Sequence, residues 1–232
     1  MRGTRPAVVV LVAGTGTDVG KTWVSARLLE AWRSAGVSVA ARKPAQSFAP
    51  GSGPTDADVL GAASDEDPDT VCHPARSYRI PLAPPMAADA LGLRGPTIAE
   101  FMDELHWPEP AVDVGLVETA GGVRSPQADD GDVLDMVSAI APDAIVLVAD
   151  AGLGTVNAVR LSATALTDEW RTGRPTLIPI VVLNRYNASS DLHRRNLAWL
   201  RHRDGFSVVE QTDDGLVALA GRLAATVPGL AR

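Results

Sequence analysis

"AVVVLVAGTGTDVGKT", residues 7–22, is the stretch on which the fold turns. Seven apolar residues run without a polar interruption and stop at Gly14, and after a glycine-rich turn Gly20-Lys21-Thr22 opens a helical pattern. A strand with no polar alternation has no solvent side, the signature of a parallel sheet covered on both faces. Strand, glycine-rich loop and helix starting at Lys-Thr together form the context of a phosphate-binding loop. Backbone N–H groups of Gly16, Thr17, Asp18, Val19 and Gly20 are placed to face an anion, and Gly14, Gly16 and Gly20 let it come close. Lys21 then neutralises β- and γ-phosphate oxygens, and Thr22 offers a hydroxyl to Mg²⁺. Five residues separate Gly14 from Gly20 where the usual spacing has four, so Thr15 stands in place of the first glycine and the loop is a variant.

Working outward, further Val-, Ile- and Ala-rich runs recur at 37–43, 112–118, 144–150 and 176–184. Helical patterns lie between or after them, at 21–35, 97–105, 132–140, 156–172, 192–202 and 216–225. Alternating strands and helices predict an α/β three-layer fold with a mostly parallel central sheet, right-handed crossovers, and ligands gathered at the carboxyl ends of the strands. The Pro- and Asp-rich segment 51–96 reads as loops with one short helix. No linker, repeat or biased tail interrupts residues 1–232, which read as a single domain.

A net charge of −7 argues against a general nucleic-acid surface, so an anionic ligand has to be captured locally. The apolar run at 7–13 is too short to span a bilayer and poorly flanked for a signal peptide, giving a soluble, cytoplasmic expectation with no membrane partner. Cys72 is the only cysteine, which rules out an internal disulfide and a thiolate metal cluster within one chain; it reads as a bystander. His73, His106, His193 and His202 show no metal-type pairing and read as surface residues. The tryptophans at 23, 32, 107, 170 and 199 read as core or interface packing.

Charged residues at strand ends are the candidates for chemistry. Lys43 closes the second strand pattern before Pro44 and is expected at the ligand-bearing edge of the sheet rather than buried within it; alone it reads as an ordinary solvated lysine. Glu118 ends the third strand before Ala120-Gly121-Gly122, a position suited to a direct or indirect Mg²⁺ contact. Asp56 and Asp58 sit at a helix start, where capping accounts for an aspartate as well as function does. Asn184 ends a strand, where its amide reads either as a base-edge contact or as a turn former.

Taken together, "GTGTDVGKT", "KPAQS", "TDADVL", "ETAGG", "GLGTVN" and "VLNR" resemble dethiobiotin synthetase, over roughly residues 8–187 in the same order and spacing. The resemblance implies a P-loop NTPase fold and an ATP-dependent ligase that captures CO2 (from bicarbonate) on 7,8-diaminopelargonic acid, phosphorylates the carbamate and closes a cyclic urea. It also implies roles. Lys21 and Thr22 would hold phosphates and Mg²⁺, with Asp56 and Glu118 completing the metal shell. Thr17, Lys43 and Ser47 would surround the diamine and its carbamate, with Lys43, Lys21 and Thr17 catalytic, and Asn184 would contact adenine. A homodimer would receive the substrate carboxylate across the interface at Gly154, Thr155 and Asn157. The chain departs from the family pattern at Phe48 and Thr119, where glycines are usual, and at Pro85, where many members carry His.

Two rivals differ in specific features. A ParA- or MinD-like switch ATPase carries an additional lysine early in its loop, which this loop lacks. An amide-forming ligase of the cobyrinate type needs a glutaminase domain with a Cys nucleophile, for which neither the length nor Cys72 leaves room. A dethiobiotin synthetase-like ligase with another substrate is the remaining alternative, attached to Phe48 and Thr119.

Overall fold

The structure is a computed structural model that describes residues 3–168 and 177–227. Its frame is a six-stranded sheet in the order β2-β5-β1-β6-β7-β8, every pair parallel. The strands are β1 (Val8–Gly14), β2 (Val39–Arg42), β5 (Val114–Glu118), β6 (Ala144–Asp150), β7 (Ile180–Asn184) and β8 (Val208–Glu210). A separate two-stranded parallel ladder joins β3 (Gln46–Ser47) to β4 (Ser77–Tyr78).

Both faces of the sheet are covered, as an uninterrupted apolar strand requires. Val8, Val10 and Val12 of β1 point to one face, into a core shared with Val24, Leu28 and Trp32 of α1 (Lys21–Ser34) and Leu216, Leu219 and Leu223 of α9 (Asp213–Ala224). Val9, Leu11 and Ala13 point to the other, against α6 (Val133–Ile140), α7 (Thr155–Leu166) and α8 (Asp191–His202). Burial of such Leu and Val side chains, at roughly 1.5–3 kcal/mol each, holds the three layers together.

The segment 51–96 is more ordered than its composition predicts. Instead of one short helix it holds α2 (Asp56–Ser64), α3 (Pro68–Val71) and α4 (Pro84–Ala90), with a 3₁₀ turn at Pro74–Arg76. Pro68, Pro84 and Pro85 sit at helix starts, where a missing N–H costs nothing, so they begin elements rather than break them. A last helix of this region, α5, spans Ile98–Glu104 behind a Thr97–Glu100 capping box. Strand β8 was hidden in the polar "RDGFSVVEQTDD" because three edge residues are too short to register as a pattern. The helix expected over 156–172 is observed to Leu166; residues 169–172 of that expectation, Trp170 and the first residue of the 176–184 strand pattern lie outside the described residues.

Trp32 and Trp107 are buried as expected, whereas Trp23 and Trp199 are exposed and lie against arginines, Arg27 for the first and Arg160 and Arg203 for the second. His193 is half-buried rather than on the surface: its Nδ1 accepts the Asn187 N–H. No helix among the described residues is long and apolar enough to cross a membrane.

Candidate active site

Strand register brings the chemistry to one edge. Glu118 pairs with Val12 two residues before the end of β1, Asp150 pairs with Asn184, and Arg42, next to Lys43, pairs with Val117. Glu118 and Lys43 thereby come to the strand ends beside the loop between β1 and α1. A cleft of about 800 Å³ opens there, lined by loop residues Thr17, Asp18, Gly20, Lys21 and Thr22 and, across from them, by Lys43, Ser47 and Asp56.

The loop's shape is set by backbone that side chains rarely adopt. Gly20 has φ +92°, and a Cβ on it would stand 1.8 Å from the Asn184 amide nitrogen, so glycine alone fits. Asn184 is buried and donates from Nδ2 to the Val19 carbonyl at 2.9 Å. Its amide thus supports the loop from behind. Asp18 has φ +56°, and its carbonyl accepts from Arg185, whose guanidinium also pairs with Asp150 at 2.9 Å. The close Gly121-Gly122 turn is needed too: a Cβ on Gly122 would lie 3.3 Å from the Gly16 Cα.

At the floor of the cleft, Thr22 Oγ1 is 2.8 Å from both Asp56 Oδ1 and Glu118 Oε1. Glu118 is fully buried, and its other oxygen accepts from Ser25 Oγ at 2.7 Å. Lys43 Nζ lies 2.6 Å from Glu118 Oε1 and 2.8 Å from Asp56 Oδ2. Lys43 is therefore at the ligand-bearing edge as expected, but its side chain is buried, at 2% exposure, rather than solvated. Burial alone would pull its pKa down, yet the adjacent Glu118 and Asp56 carboxylates outweigh it and hold the ammonium charged well above the ordinary lysine range. Asp56 is the counterpart: burial opposes its charge, but Lys43 keeps the carboxyl below the usual range. Lys21 behaves differently. Burial, reinforced by the nearby Lys43 charge, lowers its pKa to about 8, and its Nζ donates to the Gly16 carbonyl at 3.1 Å.

Thr22 Oγ1 and the two carboxylate oxygens around it are a hard donor set that could hold Mg²⁺, beside a cleft with room for phosphate. The two aspartates at the start of α2 divide the roles between them. Asp58 closes a capping box with Thr55, while Asp56 turns into the cleft.

Ser47 lines the cleft with its hydroxyl donated to the Leu82 carbonyl at 2.6 Å. Phe48 also lines it, whereas the Thr119 hydroxyl bonds the Val12 carbonyl inside the sheet and leaves the cleft unchanged. Gly154, Thr155 and Asn157, at the start of α7, are not among the residues lining this cleft, and the buried Thr155 hydroxyl has no hydrogen-bond partner among the described residues. Cys72 is buried and its thiol is pushed up to about 12, which leaves no thiolate for chemistry at neutral pH.

Sequence reasoning missed Arg185, Gln46 and Gln127. Gln127 is buried and clamps the Ala120 peptide from both sides, accepting its N–H at 2.9 Å and donating to its carbonyl at 2.8 Å. A neutral side chain in a loop gives no pattern to find, and only the fold reveals its partners.

Comparison with known proteins agrees with this geometry. A family model described as an AAA domain matches residues 9–211. An ATP-dependent dethiobiotin synthetase BioD of Anaeromyxobacter sp. (strain Fw109-5) is 39% identical over 184 residues, 78% of this chain and 78% of that protein. The protein of the same name from Anaeromyxobacter sp. (strain K) is 36% identical over 212 residues, 88% of this chain and 91% of its own. Another from Rhodococcus jostii (strain RHA1) is 40% identical over 160 residues, 68% of each. Among solved structures, the signal recognition particle receptor FtsY from Elizabethkingia anophelis superposes on 96% of this chain and 67% of its own, with a TM-score of 0.50 at 16% identity, which shows a shared fold alone. With its phosphate-binding loop at the edge of a parallel sheet and relatives of this identity along most of its length, the chain belongs to the ATP-dependent dethiobiotin synthetase family.

Proposed function

We propose that the protein joins CO2 to both amines of 7,8-diaminopelargonic acid, using ATP and Mg²⁺, to form dethiobiotin. The observation that carries this reading is the Lys43–Glu118–Asp56–Thr22 cluster directly below the phosphate-binding loop.

One substrate amine attacks CO2 and releases a proton, giving a carbamate. A carbamate oxygen then attacks the γ-phosphorus, breaking its bond to the bridging oxygen and releasing ADP. The second amine attacks the carbonyl carbon, expels phosphate and loses a proton to close the urea. The difficult step brings carbamate and γ-phosphate, both anions, into contact. Lys21 and Lys43 offset that repulsion from opposite walls of the cleft, Thr17 and Ser47 orient the diamine, and the loop N–H groups hold the phosphates. Thr22, Asp56 and Glu118 would hold Mg²⁺, which would supply further neutralisation of the phosphate charge.

The protein acts as a homodimer in this reading. Leu153, just before α7, and Leu161, within it, are 91% and 66% exposed, and a second copy would cover them while the substrate carboxylate is received at the helix start, at Gly154, Thr155 and Asn157.

Turnover with bicarbonate enriched in heavy oxygen tests the route. Phosphate carrying one heavy oxygen derived from the carbamate is expected; dethiobiotin formed with unlabelled phosphate would rule the mixed anhydride out.

A further inference from the structure

Asp56 differs in origin from its neighbours in the cluster. Thr22, Lys43 and Glu118 stand on or next to the main sheet, whereas Asp56 arrives at the end of the chain from 48 to 55, much of it exposed and broken by Pro50, Gly51, Gly53 and Pro54. Something must hold the start of α2 against the site. Lys43 and Thr22 hold the Asp56 carboxylate from the site side, and a buried glutamine holds the backbone beside it. Gln46, at 5% exposure in β3, accepts the Ala57 N–H through Oε1 at 2.9 Å and donates from Nε2 to Ser77 Oγ at 2.8 Å. Ala57 is the residue after Asp56, and its N–H is one of the helix-start donors without a partner inside the helix. The Thr55–Asp58 capping box satisfies a different donor, that of Asp58.

We propose that Gln46 is a positioning residue for the metal end of the site: it fixes Asp56 by tying the first turn of α2 to the β3–β4 ladder. An amide is suited to the task because it accepts on one side and donates on the other without adding a charge beside Asp56 and Lys43. Partners of metal ligands that set their orientation change metal affinity by about 10- to 100-fold when removed.

The inference rests on the Mg²⁺ reading above, and the test separates the two. Binding of ATP to the whole protein is measured by calorimetry with and without Mg²⁺, alongside melting curves, for the unaltered protein, Gln46→Met and Ser77→Ala. Gln46→Met keeps volume and loses both hydrogen bonds; it is expected to need about tenfold more Mg²⁺ for half-maximal tight binding, with metal-free ATP affinity unchanged. Ser77→Ala, which removes only the partner of Nε2, is expected to shift the requirement the same way by less. A melting temperature lowered in both variants with the Mg²⁺ requirement unmoved would overturn the positioning role and leave Gln46 a structural residue. An unaltered protein whose ATP binding ignores Mg²⁺ would overturn the metal reading itself and the inference with it.

Discussion

Lys43 and Lys21 lie in one cleft and carry opposite perturbations, and this divides their tasks. Lys43 is locked between two carboxylates and stays charged at any working pH; Lys21 is desolvated with a pKa of about 8 and gains most from a phosphate. Lys43→Gln is expected to lower kcat by about a hundredfold or more through loss of charge stabilisation, with ATP binding largely retained. It also leaves the buried Glu118 carboxylate without its cation, a loss of about 3–5 kcal/mol in the ligand-free protein. A near-normal kcat would remove Lys43 from the mechanism, and an unchanged melting temperature would contradict the pairing. For Lys21 the sign follows from linkage. Phosphate raises its pKa above the free value, so affinity is full below pH 8 and falls as pH rises through and beyond it, by up to about tenfold per unit, with a proton taken up on binding. Calorimetry of ATP binding in buffers of different ionisation enthalpy reads that proton directly, and affinity flat from pH 7 to about 9.5 would contradict it.

At the scale of elements, the legible parts were those with strong period and punctuation. The strand-loop-helix unit at 7–22 is legible because a β-branched apolar run bounded by a glycine-rich loop favours a buried strand and Gly20 permits the left-handed turn observed there. Segment 51–96 reads in sequence as loops with one short helix because it is rich in Pro and Asp, whereas Pro68 and Pro84 begin helices. The role of Asn184 toward the loop was hidden for a different reason: it depends on a contact with Val19, 165 residues away. Gly20→Ala tests this element. The added methyl needs a φ of +92° and meets the Asn184 amide, a strain of about 1–3 kcal/mol concentrated in the loop. ATP binding is expected to weaken at least tenfold, about 1.4 kcal/mol, while the far-ultraviolet spectrum is preserved. Unchanged affinity would show that the loop does not depend on this contact.

For the whole molecule, one cleft gathers Thr17, Lys21, Thr22, Lys43, Ser47 and Asp56, with Glu118 buried beneath it; Asn184, expected at the adenine, lies behind the loop instead, and Gly154, Thr155 and Asn157 lie outside the cleft. The homodimer proposed above would account for the place of the α7 residues. Sedimentation equilibrium is expected to give twice the chain mass of 24.2 kDa, and Leu161→Glu to shift the protein toward monomer; a monomer at all concentrations would contradict the shared site. The reaction itself is read by mass spectrometry of the products. Purified protein is incubated with 7,8-diaminopelargonic acid, bicarbonate and Mg²⁺, with ATP, CTP and GTP in parallel. Dethiobiotin formed together with ADP is the predicted result; intact ATP binding with no dethiobiotin from any nucleotide would contradict the account and point, through Phe48, to a different substrate.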